Sequence, residues 1–190
     1  MHADELSLHL LVKNEEELLA PLLTLFSEYV GEIVVVDTGS TDTTVSVAWA
    51  HSATIVETEL NHDFAAARNL GLELVTRPWI LHVDADEWPS DELLDWLKGW
   101  EPPAKCGAVA FRRHNLVGGQ EIGMRTLEWH IRLFRSVSRF EGRIHERIQV
   151  SHEQDIISAP LDAILQHYKT IERQEKQNLL YSEWEEQLCS

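Results

Sequence analysis

Short apolar runs alternate with amphipathic stretches through the first half of the chain. Leu6–Val12 is mostly apolar, which suits a strand covered on both faces. Leu18, Leu19, Leu22, Leu23 and Phe26 then recur at helical spacing. Asn14 stands where it can cap that helix, with Glu15, Glu16 and Glu17 in the favourable first turn. Residues 33–36 are β-branched and apolar throughout, a second buried strand. Residues 43–51 read as a short helix and 54–56 as a third strand. Asp63 caps a segment running to about Val75, and residues 79–83 form a fourth strand. Strands and helices in this order predict a parallel α/β sheet with right-handed crossovers.

The pattern changes after residue 90. Ser90 or Asp91 begins a short helix through Trp96, and Glu101-Pro102-Pro103 ends it. Residues 107–113 and about 126–134 read as strands flanking the turn signal Val117-Gly118-Gly119, a hairpin. Residues 144–150 are a further strand candidate, and the polar, Glu- and Gln-rich stretch Ile171–Leu188 predicts a terminal helix. No linker composition separates the halves. The expectation is one domain over 1–190, with a nucleotide-sheet-like half at 1–100 and a smaller mixed β half at 101–190.

Composition narrows the function classes. The 190 residues are 44% hydrophobic and 25% charged, as in a soluble globular chain with a substantial core. With 16 basic against 32 acidic residues the net charge is -16, which disfavours nucleic acid as a partner. That charge is unevenly spread: residues 1–100 carry a net of -15 and residues 101–190 a net of -1. Within residues 112–147, eight arginines (112, 113, 125, 132, 135, 139, 143 and 147) face four glutamates. An anionic ligand held between an acidic, cation-requiring half and an arginine-rich half is one reading; solvated strand and loop charges are the other. Cys106 and Cys189 are too few for a disulfide scaffold, and no basic leader or apolar run of about 18 residues occurs. A cytoplasmic location without a transmembrane segment is expected.

In an open parallel sheet, ligands bind beyond the carboxyl ends of the strands. Three such ends are polar here: Lys13-Asn14-Glu15, Asp37-Thr38-Gly39-Ser40-Thr41-Asp42 and Asp84-Ala85-Asp86-Glu87. Asp84 and Asp86, at i and i+2 behind a buried strand, suit a hard divalent cation that keeps positions free for phosphate oxygens. A turn or cap is the plainer account of the same residues. Asp37 is placed to accept hydrogen bonds from a sugar or base, while Gly39 supplies a turn and Thr41 or Asp42 caps the next helix. Neither a dinucleotide-binding G-x-G-x-x-G after the first strand nor a P-loop occurs.

These segments resemble glycosyltransferase family 2. The resemblance rests on Leu11-Val12-Lys13-Asn14-Glu15-Glu16, the run 34–42, Asp63-Phe64-Ala65-Ala66-Ala67-Arg68-Asn69 and the run 79–87, in that order. Arg132-Leu133-Phe134-Arg135, the run 140–146 and Gln166-His167-Tyr168-Lys169 look like the branch with lipopolysaccharide-core glucosyltransferases and bacteriocin S-glycosyltransferases. The resemblance implies a GT-A fold, a nucleotide-diphosphate-sugar donor (a UDP-sugar) and inversion at the anomeric carbon. It implies Mn2+ or Mg2+ on Asp86 and His167, with Asp84 toward the ribose or the metal. It also implies a nucleotide pocket from Val12, Asn14, Glu15, Asp37, Thr38, Gly39, Arg68, Asp84 and Ala85. A neutral imidazole at His167 suits Mn2+ better than Mg2+.

Inversion needs a general base for the acceptor's proton, and Glu146 is the candidate. Family members often place this base in a Glu-Asp pair after the hairpin, and this chain has no such pair. Trp88 and Trp129 flank the site motifs as candidates for stacking on a sugar. The implied acceptor is a saccharide, lipid-linked or peptide group, reached without nucleic acid and with peripheral membrane contact compatible. Two rivals stand beside this reading: a non-catalytic or truncated nucleotide-sugar binder, and a phosphotransferase using Asp84 as nucleophile. The latter expects its motif after an early strand.

Overall fold

The computed structural model describes residues 1–121 and 127–188. Arg125, Thr126 at the start of the expected 126–134 strand, and Cys189 therefore lie outside the described residues. In chain order the elements are β1 (Leu6–Val12), α1 (Glu16–Phe26), β2 (Glu32–Asp37), α2 (Thr44–Ala50), β3 (Thr54–Glu57), α3 (Phe64–Leu72) and β4 (Trp79–His82). There follow β5 (Glu87–Pro89), α4 (Asp91–Gly99), β6 (Cys106–Val117), β7 (Gln120–Glu121), β8 (Leu127–Arg135) and β9 (Arg139–Glu141). The described chain finishes with β10 (Arg147–Gln149), β11 (Asp155–Ser158), β12 (Ile164–Lys169) and α5 (Ile171–Leu188).

One sheet runs in the order β3-β2-β1-β4-β8-β6-β12-β5, with β7 and β11 also paired to β6. The strands β3, β2, β1 and β4 are parallel, as the alternating pattern predicts. At β8 the sheet turns antiparallel to both β4 and β6, and β12 then runs parallel to β6. The register aligns His167 with Asn115 of β6 on one side and with Glu87 of β5 on the other. This mixed α/β arrangement is the expected fold class.

Both faces of the sheet are covered. Leu6, Leu8, Leu10 and Val12 point into a core completed by Leu19, Leu22, Leu23 and Phe26 of α1 and Leu93, Leu94 and Leu97 of α4. Ile80, Ala108 and Phe134 face a smaller cluster with Ala65 and Leu72 of α3 and Phe140 of β9. Helix α3 lies so close to the sheet that a Cβ at Gly71 would stand 2.4 Å from His9 Nε2 and 2.5 Å from Val36 Cγ2. Only glycine permits that approach.

Several local expectations are revised. Asn14 does not cap α1: its backbone is left-handed (φ 55) and its Oδ1 accepts from Thr41 N at 2.8 Å. Its side chain thus ties the end of β1 to the next loop, and the α1 N-cap Glu15 makes no side-chain cap bond. Asp63 does cap α3, accepting from Ala66 N at 2.8 Å, but the helix stops at Leu72. The strand expected at 144–150 shrinks to β10, because Gly142 (φ 95) and His145 (φ 58) turn the chain left-handed. Arg143 O meanwhile accepts from Phe64 N at 2.9 Å, tying that loop to the start of α3. Strand β6 runs to Val117, past the end expected at 113, since its second half pairs with β12.

Candidate active site

The carboxyl ends of β2, β1 and β4 lie side by side, so the three polar strand ends share one edge. Asp37, 1% exposed, ends β2 and turns its carboxylate into its own loop. Its Oδ2 accepts from Gly39 N at 3.0 Å and Ser40 N at 2.9 Å, and its Oδ1 from the Ser40 hydroxyl. Gly39 takes φ 92 there, which glycine tolerates. In this arrangement Asp37 shapes the loop rather than presenting an open carboxylate. Thr38 closes the same corner, with its N and Oγ1 each donating to Val12 O at 3.0 Å.

Glu15, at the start of α1, donates from its backbone N to Thr44 Oγ1 at 2.8 Å, while its carboxylate pairs with Arg173 of α5. Burial raises the Glu15 carboxyl above its ordinary range against the pull of Arg173. A cleft of about 220 Å³ opens here between Asn14, Glu15, Glu16, Asp42 and Arg173.

The turn after β4 is built differently. Ala85 packs into the main core. Asp84 Oδ1 accepts from Arg68 Nη2 and its Oδ2 from Arg132 Nη2, each at 3.0 Å. Burial alone would raise the Asp84 carboxyl, but Arg132 and Arg68 outweigh it and hold it well below the ordinary carboxylate range. Glu87, fully buried, braces the turn: its Oε2 accepts from Asp84 N at 3.1 Å and its Oε1 pairs with Arg132. Arg113 approaches the same Oε1 at 3.5 Å. Three arginines thus surround the buried Glu87 and the half-buried Asp84, the pairing that buried charge requires.

Asp86 has a different partner. It is 7% exposed, its Oδ1 lies 3.3 Å from His167 Nε2, and its backbone O accepts from Tyr168 N at 3.0 Å. Strand β12 therefore both carries the imidazole and fixes the carboxylate beside it. Of the three expected metal ligands, the structure brings Asp86 and His167 together and commits Asp84 to the arginines. Among the described residues, no group of three or more His, Cys, Asp or Glu side chains could hold a metal ion. A two-ligand set still fits a hard cation that draws its remaining ligands from phosphate oxygens and water.

Glu146, carried by the loop between β9 and β10, pairs with Arg68. Arg68 thus joins Glu146 to Asp84, and its guanidinium lies 5.5 Å from the Phe140 ring centroid and 5.8 Å from that of Phe64. Behind Asp84, His9 and His82 bury completely with their Nδ1 atoms 2.9 Å apart. Burial drives His9 down to about 3, and His82 well below its usual value, with Arg68 adding to both shifts. Trp88 packs against the main core, whereas Trp129 on β8 is 46% exposed.

Sequence reasoning missed the roles of Arg132, Glu87, Arg113 and Asn115. The cluster of eight arginines was the available signal for Arg132 and Arg113. Nothing local marks Asn115, which reaches His167 only through the register of β6 with β12.

The family model for glycosyl transferase family 2 matches residues 7–158. A TPR repeat-containing protein of Synechococcus elongatus is 41% identical over 83 residues, covering 44% of this chain and 21% of its own. An uncharacterized glycosyltransferase of Rickettsia felis is 34% identical over 93 residues, covering 48% of this chain and 32% of its own. The chain thus spans no more than a third of either relative. S. aureus TarS 1-349 superposes with a TM-score of 0.64 at 16% identity, over 88% of this chain and 60% of that one. It has also been solved with UDP-GlcNAc. The mannosyltransferase PcManGT of Pyrobaculum calidifontis, in complex with GDP-Man and Mn2+, gives a TM-score of 0.60 at 19% identity, over 86% and 56% of the two chains. These likenesses establish the GT-A fold. With that fold, and a family match spanning most of its length, the chain belongs to glycosyl transferase family 2.

Proposed function

We propose that the chain is an inverting, metal-dependent glycosyltransferase that takes a sugar from a UDP-sugar to a saccharide, lipid-linked or peptide acceptor. The observation that carries the proposal is the Asp86 carboxylate held 3.3 Å from His167 Nε2, at the edge where the parallel strands end. Asp86 and His167 would hold Mn2+ or Mg2+, which supplies Lewis acidity toward the departing diphosphate. The corner formed by Val12, Asn14, Glu15, Asp37, Thr38 and Gly39 would cradle the nucleoside. Arg68, Asp84 and Ala85 would complete the donor site from the side of β4. Relatives of the same fold were solved with UDP-GlcNAc and with GDP-Man and Mn2+, which supports a nucleotide-sugar donor.

Glu146 would take the acceptor's proton as the acceptor atom bonds to the anomeric carbon and the bond to the diphosphate oxygen breaks. In the described conformation its Oε1 pairs with Arg68. The same ion pair favours a second reading, a nucleotide-sugar binder that performs no transfer. No helix among the described residues is long and apolar enough to cross a membrane. A cytoplasmic location and an arginine-lined acceptor side belong to the same proposal.

Donor hydrolysis and transfer, followed with UDP- and GDP-sugars with and without Mn2+, test it. Asp86→Ala abolishes turnover and metal-assisted UDP binding while the circular-dichroism spectrum is retained. Glu146→Gln lowers turnover about 10²–10⁴-fold with donor binding kept, the usual weight of a general base. Binding of UDP-sugar without turnover in the unaltered chain would instead establish the second reading.

A further inference from the structure

His167 has two ring nitrogens, and only one of them faces Asp86. The other, Nδ1, lies 2.8 Å from Asn115 Oδ1. The contact spans 52 residues of sequence and exists because β6 and β12 run parallel with Asn115 opposite His167. Side chains of residues paired across adjacent strands leave the same face, so Asn115 sits beside the imidazole and not behind it. Residue 115 is partly buried, and so is the bond it makes.

A carboxamide oxygen only accepts, so with Oδ1 toward the ring Nδ1 is the nitrogen that donates. A neutral ring protonated at Nδ1 turns the lone pair of Nε2 toward Asp86 Oδ1, 3.3 Å away. A nitrogen lone pair beside a carboxylate oxygen is a donor set for a cation. Partners that fix the tautomer and ring orientation of a ligating histidine commonly govern metal affinity as strongly as ligand geometry does.

We infer that Asn115 is a positioning residue for the metal step, holding His167 in the tautomer and orientation that offer Nε2, together with Asp86, to a divalent cation. The inference rests on the proposed metal-dependent reading. Asn115 would act through His167. An Oδ1-accepting side chain is what position 115 requires, so aspartate should serve there and alanine should not.

The test measures Mn2+ affinity in the presence of UDP, by the loss of the free-Mn2+ electron paramagnetic resonance signal. It uses the unaltered chain, Asn115→Ala, Asn115→Asp, His167→Ala and Asp86→Ala, each checked for its melting transition. Asn115→Ala weakens Mn2+ binding about 10–100-fold, the usual cost of losing such a partner. Asn115→Asp restores most of it, and saturating Mn2+ restores turnover in Asn115→Ala. A merely structural role for Asn115 would lower the melting transition of both variants alike and leave Mn2+ affinity in proportion to folded protein.

An Asn115→Ala protein that binds Mn2+ as the unaltered chain does, while His167→Ala and Asp86→Ala do not, overturns the inference and leaves the metal site standing. An imidazolium bridging Asn115 and Asp86 with no metal role predicts that result with His167→Ala also silent. Unchanged Mn2+ affinity in both His167→Ala and Asp86→Ala removes the metal reading, and the role of Asn115 falls with it.

Discussion

The ends of β1 and β2 satisfy their polar groups largely from their own neighbourhood. Asp37 bonds Gly39 and Ser40, two and three residues on, and Asn14 reaches only to the facing Ser40–Thr41 loop. The seam between β4, β8, β6 and β12 works by distance in sequence. Arg132 reaches Asp84 across 48 residues and Asn115 reaches His167 across 52. On the first side two neighbouring strand-to-helix loops hold each other, and Arg173 of α5 reaches in to Glu15. On the second, carboxylates of an acidic half are neutralised by guanidinium groups of a half with little net charge. Asp84 and Glu87 of the acidic half are thus neutralised at the seam where Asp86 also meets His167.

Removing a cation from the seam should therefore have the largest structural effect. Arg132→Leu leaves Glu87 buried and Asp84 half-paired, and stripping one partner from a buried ion pair costs about 3–5 kcal/mol. The midpoint of urea unfolding should fall accordingly, and donor binding should be lost with it. A variant of unchanged midpoint would mean that the seam is not held by its charges.

The next effect concerns acid. His9 is buried with its value lowered from 6.5 to about 3, so the unfolded chain takes up a proton that the folded chain refuses. The stability this withholds is complete above about pH 6.5 and is lost progressively as pH falls toward 3. Between pH 6.5 and 5 the loss amounts to about 2 kcal/mol for one such group, at 1.36 kcal/mol per unit. Asp84 adds nothing in this window, because its depressed value is reached only below the ordinary carboxylate range. His9→Asn should flatten the pH dependence by about one proton when urea midpoints at pH 7 and pH 5 are compared. An unaltered slope would place the acid sensitivity elsewhere.

The smallest effect belongs to the terminal helix. Arg173 pairs with Glu15 but is 39% exposed, and pairs of that kind contribute about 0–1 kcal/mol. Arg173→Ala should move the melting transition little, by roughly 2–4 °C at most. A larger shift would make α5 part of the structural frame of the donor side.

The two sides also differ in how far the sequence discloses them. The parallel strands announce themselves through β-branched runs and regular spacing, and their polar ends follow from where the runs stop. Asp84, Asp86 and Arg68 were visible as motif residues, yet the commitment of Asp84 to two arginines was not. Single strands such as β5, β9, β11 and β12 are three to six residues long and carry little periodicity of their own. They form because long-range pairing completes their hydrogen bonds, and no local pattern encodes the register that sets Asn115 opposite His167. Asn14 shows the same limit on a small scale: a cap by composition, it serves the neighbouring loop because its backbone turns left-handed.

The central claim is that a divalent cation and a nucleoside diphosphate meet where Asp86 faces His167. Calorimetric titration of UDP into the chain, with and without Mn2+, tests it most directly. The account predicts tight binding only with Mn2+ in the unaltered chain, and loss of that Mn2+ dependence in Asp86→Ala and in His167→Ala. UDP binding of equal strength with and without Mn2+ in all three proteins would contradict it.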